Sequence, residues 1–203
     1  MNPLSDEELM ARCAWGDRRA MDMLVSRYHG KLLDFALRHL RNRDSAADIA
    51  QTAFVRVFES AATYRVKASF KTWLYTIALN LIRDEFRRRR ARKESPASES
   101  ETVEDILEVT ADRASSGSSV EDAVLDRAMA SELWRAVDGL GENHRSAVIL
   151  KFRGGLTYEE ISMVMEAPSG TVKSWIHYAL KDLRKSLELD YVDLQVSGGK
   201  ELE

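Results

Sequence analysis

Four consecutive arginines, Arg87 to Arg90, close the segment "FKTWLYTIALNLIRDEFRRRR" (residues 70–90), which contains neither proline nor glycine. Guanidinium groups suit phosphate oxygens, while indole, hydroxyl and amide groups suit stacking on bases and reading base edges. At about 100° per residue, Phe70, Leu74, Ile77, Ala78 and Leu81 fall on one side, with Trp73 at its margin. Thr72, Thr76, Asn80, Arg83, Arg87 and Arg90 gather on a second arc, one polar or cationic side chain per turn. Pairing at i,i+4 predicts Asp84 with Arg88 and Glu85 with Arg89. That leaves Arg83, Arg87, Arg90, Arg92 and Lys93 outside the pairs. A solvated helix face and a nucleic-acid-reading face both fit this pattern.

A second cationic face lies in "LTYEEISMVMEAPSGTVKSWIHYALKDLRKSL" (156–187). Thr157 with Glu160 forms a capping box for one short helix, Ile161 and Val164 or Met165 face inward, and Ala167-Pro168 breaks the pattern. Ser169 is placed to cap a second helix, with Val172, Ile176, Ala179, Leu180, Leu183 and Leu187 at helical spacing. Ser174, His177, Tyr178, Lys181 and Lys185 point away from that apolar face. Two short helices, a tight break and a basic second helix describe a helix-turn-helix. Trp175 sits beside the apolar face, where either packing or a groove-edge contact suits it.

These stripes need scaffolds, and the remaining sequence supplies helices. Ten glycines and three prolines in 203 residues favour an all-α fold. Ser5 and Glu8 form a capping box. Asp17 is placed to cap a helix carrying Met21, Leu24, Val25, Tyr28, Leu32, Phe35 and Leu40, and Asp44 to cap a third through Ile49, Ala53, Val57 and Ala61. A lone Cys13 excludes internal disulfides and multi-cysteine metal sites, and suits packing in a reducing compartment. His29, His39, His144 and His177 show no ligand spacing, so no metal and no cofactor is expected. No apolar run approaches the ~20 residues of a membrane span, which predicts no membrane insertion and a cytoplasmic location.

Charge divides the chain. Residues 83–93 hold seven basic and two acidic residues, while residues 94–126 hold ten acidic residues against one basic, with seven serines. Such a stretch buries too little to offset its ordering entropy and is read as a flexible acidic linker, with room for a short helix around Val103–Val109. The expected organisation is two small helical domains, 1–93 and 127–190, followed by a polar tail, 191–203.

Taken in order, "GDRRAMDMLVSRYHGKLLDFALRHLRNRDSAADIAQTAFVRVF", "FKTWLYTIALNLIRDEFRRRR" and "GLTYEEISMVMEAPSGTVKSWIHYALKDL" resemble a bacterial RNA polymerase sigma factor of the extracytoplasmic-function (ECF) group. The resemblance spans both modules and implies a protein, not an enzyme, that joins core RNA polymerase and directs it to promoters. "DIAQTAF" resembles the helix that binds the polymerase clamp, which implies contacts from Asp48 and Gln51 with Phe54 nearby; Thr52 stands where an acidic residue is common. The arginine-ended segment resembles the part that reads and melts the −10 element. Phe70 and Trp73 would then flank an extruded base or support its pocket, Lys71 and Asn80 would approach the strand, and Arg83, Arg87 and Arg88 would hold phosphates. Thr76 and Ile77 occupy the place of the tandem tryptophan wedge of housekeeping sigmas.

"GTVKSWIHYALKDL" resembles the helix that reads the −35 element in duplex DNA. That implies contacts from Thr171, Lys173, Ser174, Trp175, His177, Tyr178 and Lys181, although arginines are usual where Trp175 and Tyr178 stand. An anti-sigma factor is a further partner that the resemblance implies.

Two readers on one DNA face two helical turns apart sit roughly 70 Å from each other. A 33-residue tether stretches to about 110 Å but averages about 30–35 Å as a free coil. It reaches without fixing the separation, so a larger partner must do so, and the free chain is expected to bind DNA weakly. On residues alone two other classes stay open. One is a stand-alone helix-turn-helix regulator, and the other is an enzyme using Asp44, Asp48 and Glu59, which lack a metal-ligand set or nucleophile–base pair.

Overall fold

The computed structural model describes residues 4–64, 68–93 and 120–197, and among them every regular element is helical. In chain order these are α1 (Asp6–Ala14), α2 (Arg18–Leu40), α3 (Arg43–Ser60) with a 3-10 turn at Ala61–Thr63, α4 (Phe70–Lys93), α5 (Val120–Gly139), α6 (Glu142–Phe152), α7 (Tyr158–Met165) and α8 (Ser169–Ser197). The expected all-α class is observed.

Local chemistry accounts for most starts and stops. Ser5 and Glu8 close a reciprocal capping box on α1, with the Glu8 carboxylate 2.7 Å from the Ser5 amide. Asp17 accepts from the amides of Arg19 and Ala20 to start α2. α2 stops where Arg41 turns left-handed at φ 52°. Asn42, rather than the expected Asp44, caps α3 by accepting from the Ser45 amide at 2.8 Å. The reason is register: Asn42 has the extended backbone an N-cap requires, while Asp44 already lies within the first turn. Thr157 and Glu160 form the expected box on α7. Ser169 is the first residue of α8 rather than a residue preceding it.

Two helices cross the expected domain bounds. α5 begins at Val120, inside the span read as linker, because "VEDAVLDRAMASELW" is rich in helix formers once the serine run ends. α8 continues to Ser197, past the expected domain end at 190. The rest of the linker, including Val103–Val109, lies outside the described residues.

The described residues group into two units. One holds α1 to α4 with the segment Ile149–Ser169; the other holds α5, the part of α6 up to Val148, and α8 from Gly170. In the first unit α2 packs on α1, α3 and α4, and α4 also packs on α7. Its core is Leu9, Met10, Leu24, Leu32, Phe35, Ala53, Val57, Phe70, Leu74 and Tyr75, all at most 1% exposed. Phe35 stands edge-on to Tyr75 with ring centroids 5.0 Å apart and lies 4.6 Å from the ring of His39. Cys13 is buried in this core. Gly154 ends α6 where a side chain cannot fit: a Cβ there would lie 2.7 Å from the Leu150 carbonyl oxygen and 2.7 Å from Leu156. In the second unit Val137, Ala147, Val148, Val172, Ile176, Ala179 and Leu183 are buried.

Phe35→Ala should destabilise the first unit by about 3–5 kcal/mol, the usual cost of truncating a fully buried ring. Urea denaturation should show a lowered midpoint at unchanged slope. An unchanged midpoint would mean that α2 and α4 do not depend on this contact.

Candidate nucleic-acid interface

α4 is the longest helix of the first unit, and its burial is broader than a single apolar stripe. Leu74, Tyr75, Ala78, Leu79, Leu81 and Ile82 are all buried. Thr72, on the predicted polar arc, is also buried at 1% exposure. The segment is therefore core along much of its length, and Trp73, Thr76, Asn80 and Arg83 emerge half-exposed between buried neighbours.

The start of α4 is a dense polar knot. Ser69 Oγ accepts from the Thr72 amide at 3.2 Å, and Glu7 Oε1 accepts from the Phe70 amide at 3.0 Å. Glu160 of α7 uses one oxygen for its own capping box and the other for the hydroxyls of Ser69 and Thr72, at 3.0 and 3.1 Å. Lys71 Nζ donates to the Gly155 carbonyl at 2.8 Å and lies 3.8 Å from the Glu160 carboxylate. Nearby, Arg153 donates to Asp34 at 2.8 Å. Burial works against ionisation of Glu160. The Thr157 amide, the Ser69 and Thr72 hydroxyls and the Lys71 charge outweigh it and hold the carboxyl below its ordinary value.

Phe70 is fully buried, with its ring 5.5 Å from Tyr28 and 6.2 Å from Trp73. Trp73 tilts against Tyr64 at 4.8 Å. Trp73, Tyr64, Ser60, Thr63, Ala68, Thr72, Thr76 and Met163 line a cavity of about 430 Å³. Thr76 donates to the Thr72 carbonyl at 2.9 Å.

The arginine tract is divided. Arg89 donates to Ser45 Oγ at 2.8 Å, to the Leu40 carbonyl at 3.4 Å and to Glu85 at 3.0 Å, so it ties α4 to the α2–α3 corner. Asp84 pairs with Arg87 rather than the predicted Arg88, and Arg88 instead lies 3.4 Å from Glu85. The predicted i,i+4 pair Glu85–Arg89 is present, and the other two arginines pair at i,i+3. Arg87 and Arg88 remain exposed.

On α3, Asp48 and Gln51 are exposed, whereas Phe54 is 7% exposed and stacks on His29 with centroids 6.5 Å apart. Val55 and Phe58, which the sequence did not single out, are 48% and 59% exposed on the same helix. On α8, Lys173, Ser174, His177, Tyr178 and Lys181 are exposed, and Thr171 and Trp175 are half-buried. Ser174 Oγ donates to the Gly170 carbonyl at 3.0 Å, and the His177 and Tyr178 rings meet edge-on at 5.5 Å. Leu180, expected on the apolar face, is 44% exposed.

The cavity-lining Ser60, Thr63 and Tyr64 carry no sequence signal, since they come from the 3-10 turn and its flanks. The second oxygen of Glu160 is equally silent, because a capping box accounts for the residue by itself.

Comparison with known proteins places these elements. The family described as Sigma-70 region 2 matches residues 24–92, and that described as Sigma-70, region 4 matches residues 130–183. The RNA polymerase sigma-H factor of Pseudomonas aeruginosa is 34% identical over 184 residues, covering 90% of this chain and 94% of its own. The ECF RNA polymerase sigma-E factor of Escherichia coli K12 is 31% identical, covering 87% of this chain and 91% of its own. Among solved structures, CnrH in complex with the cytosolic domain of CnrY matches with a TM-score of 0.66 at 23% identity, over 91% of this chain and 98% of that one. The sigma factor RpoE in complex with the anti-sigma factor NepR from Bartonella quintana matches with a TM-score of 0.64 at 23% identity, over 83% of this chain and 97% of that one.

The lowered value of Glu160 sets a pH dependence. An acid whose folded value lies below the ordinary 4.5 contributes its stability above that pH and loses it as pH falls through the folded value. Amide-exchange protection factors in α7 and at Thr72, measured against intrinsic rates at each pH, should therefore fall on acidification below the ordinary value. Glu160→Gln should lack that acid-dependent step, and superimposable pH profiles for the two proteins would contradict the assignment.

Proposed function

The chain belongs to the ECF group of the sigma-70 family, and from that membership we propose how its residues serve a sigma factor. It binds core RNA polymerase and directs promoter-specific transcription initiation, reading the −10 and −35 elements and helping to melt DNA. One observation carries this: 34% identity that runs through 90% of the chain, across both matched regions in the family's order.

Residues 1–93 act as the region that binds polymerase and opens the −10 element, 94–126 as the linker, and 127–190 as the region that reads −35, with 191–203 as a tail. Trp73 and Tyr64 wall the cavity that receives a base, Phe70 supports it from the core, and Lys71 and Asn80 approach the strand. Arg83, Arg87 and Arg88 hold phosphates; the exposure of the last two supports this. Thr171, Lys173, Ser174, Trp175, His177, Tyr178 and Lys181 of α8 face duplex DNA at −35. Asp48 and Gln51 contact the polymerase clamp, with Phe54 supporting them from the core.

An anti-sigma factor is the proposed restraining partner, in keeping with the RpoE–NepR complex. No described helix is long and apolar enough to cross a membrane. From the family membership we propose a cytoplasmic location and no catalytic activity of its own.

Run-off transcription with purified core polymerase tests the reading. Start-specific transcripts should appear only when the chain is added. Absence of binding to the core enzyme, with start sites unchanged, would overturn it. Arg87→Ala with Arg88→Ala should weaken promoter binding across sequences and reduce the salt slope by roughly one to two. An unchanged slope would remove these two arginines from the phosphate contacts.

A further inference from the structure

α1 lies outside the span matched to region 2, yet its first turn grips two other helices. Asp6 Oδ1 accepts from Arg27 Nη1 at 2.7 Å, and its other oxygen accepts from the Tyr28 hydroxyl. Glu7 Oε1 accepts from the Phe70 main-chain amide at 3.0 Å, across 63 positions of sequence. That amide is the first of α4. A helix leaves its first four amides without partners inside itself, and negative charge is favourable at that end. Ser69 serves Thr72, and Glu7 serves Phe70, so the start of α4 is set partly by another helix.

What α4 positions from there is the cavity. Phe70, whose amide Glu7 holds, packs on Trp73 at 6.2 Å, and Trp73 packs on Tyr64 at 4.8 Å. Trp73 and Tyr64 are both lining residues. Burial, and then the charges of Glu7 and Asp6, push the Tyr64 phenol up. Fixing where the helix begins constrains the height of Trp73 against Tyr64. Misplacement by a fraction of a turn would reshape the space between them.

We infer that Glu7 is a positioning residue for promoter opening: it anchors the first turn of α4 and thereby shapes the Trp73–Tyr64 cavity, without touching nucleic acid. The inference rests on the sigma-factor reading above.

The unaltered chain, Glu7→Ala and Glu7→Gln are assembled with core polymerase on a fully duplex promoter and on the same promoter with its −10 region already opened by mismatches. Permanganate reactivity of thymines reports opening, and transcript yield reports the rest. Glu7→Ala should open the duplex about tenfold more slowly yet stay within about twofold of the unaltered chain on the pre-opened template. Glu7→Gln keeps an acceptor oxygen and should open the duplex within about threefold of normal. Core affinity should be the same for all three.

Unchanged duplex opening by Glu7→Ala would overturn the inference. So would equal losses on both templates or a lowered core affinity, since those describe a merely structural residue. If Glu7→Ala does not fold, Glu7→Asp, with its shorter reach, takes its place. It should slow duplex opening at least about threefold while sparing the pre-opened template, and unchanged opening would be equally fatal. An unaltered chain that gives no start-specific transcript refutes the sigma-factor reading instead, so the two failures are distinguishable.

Discussion

The edge-on contact of Phe35 with Tyr75, with planes at 86°, fixes the rotation of α4 about its own axis. Tyr75 is 1% exposed, and Leu74, Ala78, Leu79 and Ile82 are buried around it. Turning the helix by one residue, about 100°, would drive Thr76 inward and expose the ring. Burial, and then the charge of Asp34, push the Tyr75 phenol up to about 12, so it stays neutral at ordinary pH and its burial carries no charge penalty. Groups farther along α4, such as Arg83 and Arg87, take their direction from this packing, while the first turn with Trp73 is also held by Glu7.

Cation density is then a poor measure of what the helix offers to phosphate. Arg89 bonds Ser45, the Leu40 carbonyl and Glu85, with its side chain 28% exposed, and belongs to the fold. Arg87 and Arg88 also have acidic partners, but their side chains are 79% and 63% exposed. Exposed pairs of this kind contribute only about 0–1 kcal/mol, while a charge-assisted bond to phosphate is stronger than a neutral one. Phosphate can therefore take these two arginines from Asp84 and Glu85, and it cannot take Arg89 without loosening the corner between α2 and α3.

What could be read from the sequence was whatever local chemistry decides. The capping boxes at Ser5 and Thr157 and the Asp17 cap rest on contacts within four residues, and all are present. Tyr75, Leu79 and Ile82 were not anticipated as core, because a wheel with one apolar stripe assumes one neighbour, and α4 packs on α1, α2, α3 and α7. The i,i+4 rule placed Arg89 on Glu85 but misassigned Arg88, because Asp84 takes Arg87 and Glu85 takes both Arg88 and Arg89. Phe70 already fell on the apolar side of the wheel, while Phe54 carries a motif resemblance and only packing shows that its ring faces inward. The cavity was not readable at all: its walls join a 3-10 turn, the start of α4 and Met163, and no spacing rule connects them.

Two acidic side chains meet at the start of α4, and their different targets separate their consequences. Glu7 accepts a main-chain amide, a group that every helix presents at its beginning whatever its side chains. Glu160 accepts the Ser69 and Thr72 hydroxyls and faces the Lys71 ammonium, which are side-chain groups of the kind that phosphate oxygens also use. Removing Glu7 leaves a buried amide without its partner and disturbs the helix itself. Removing Glu160 leaves hydroxyls and an ammonium that water or another anion can satisfy. Any anion approaching Ser69, Lys71 and Thr72 must first displace the Glu160 carboxylate, whereas the Glu7 contact is made to the Phe70 main chain and is not in competition.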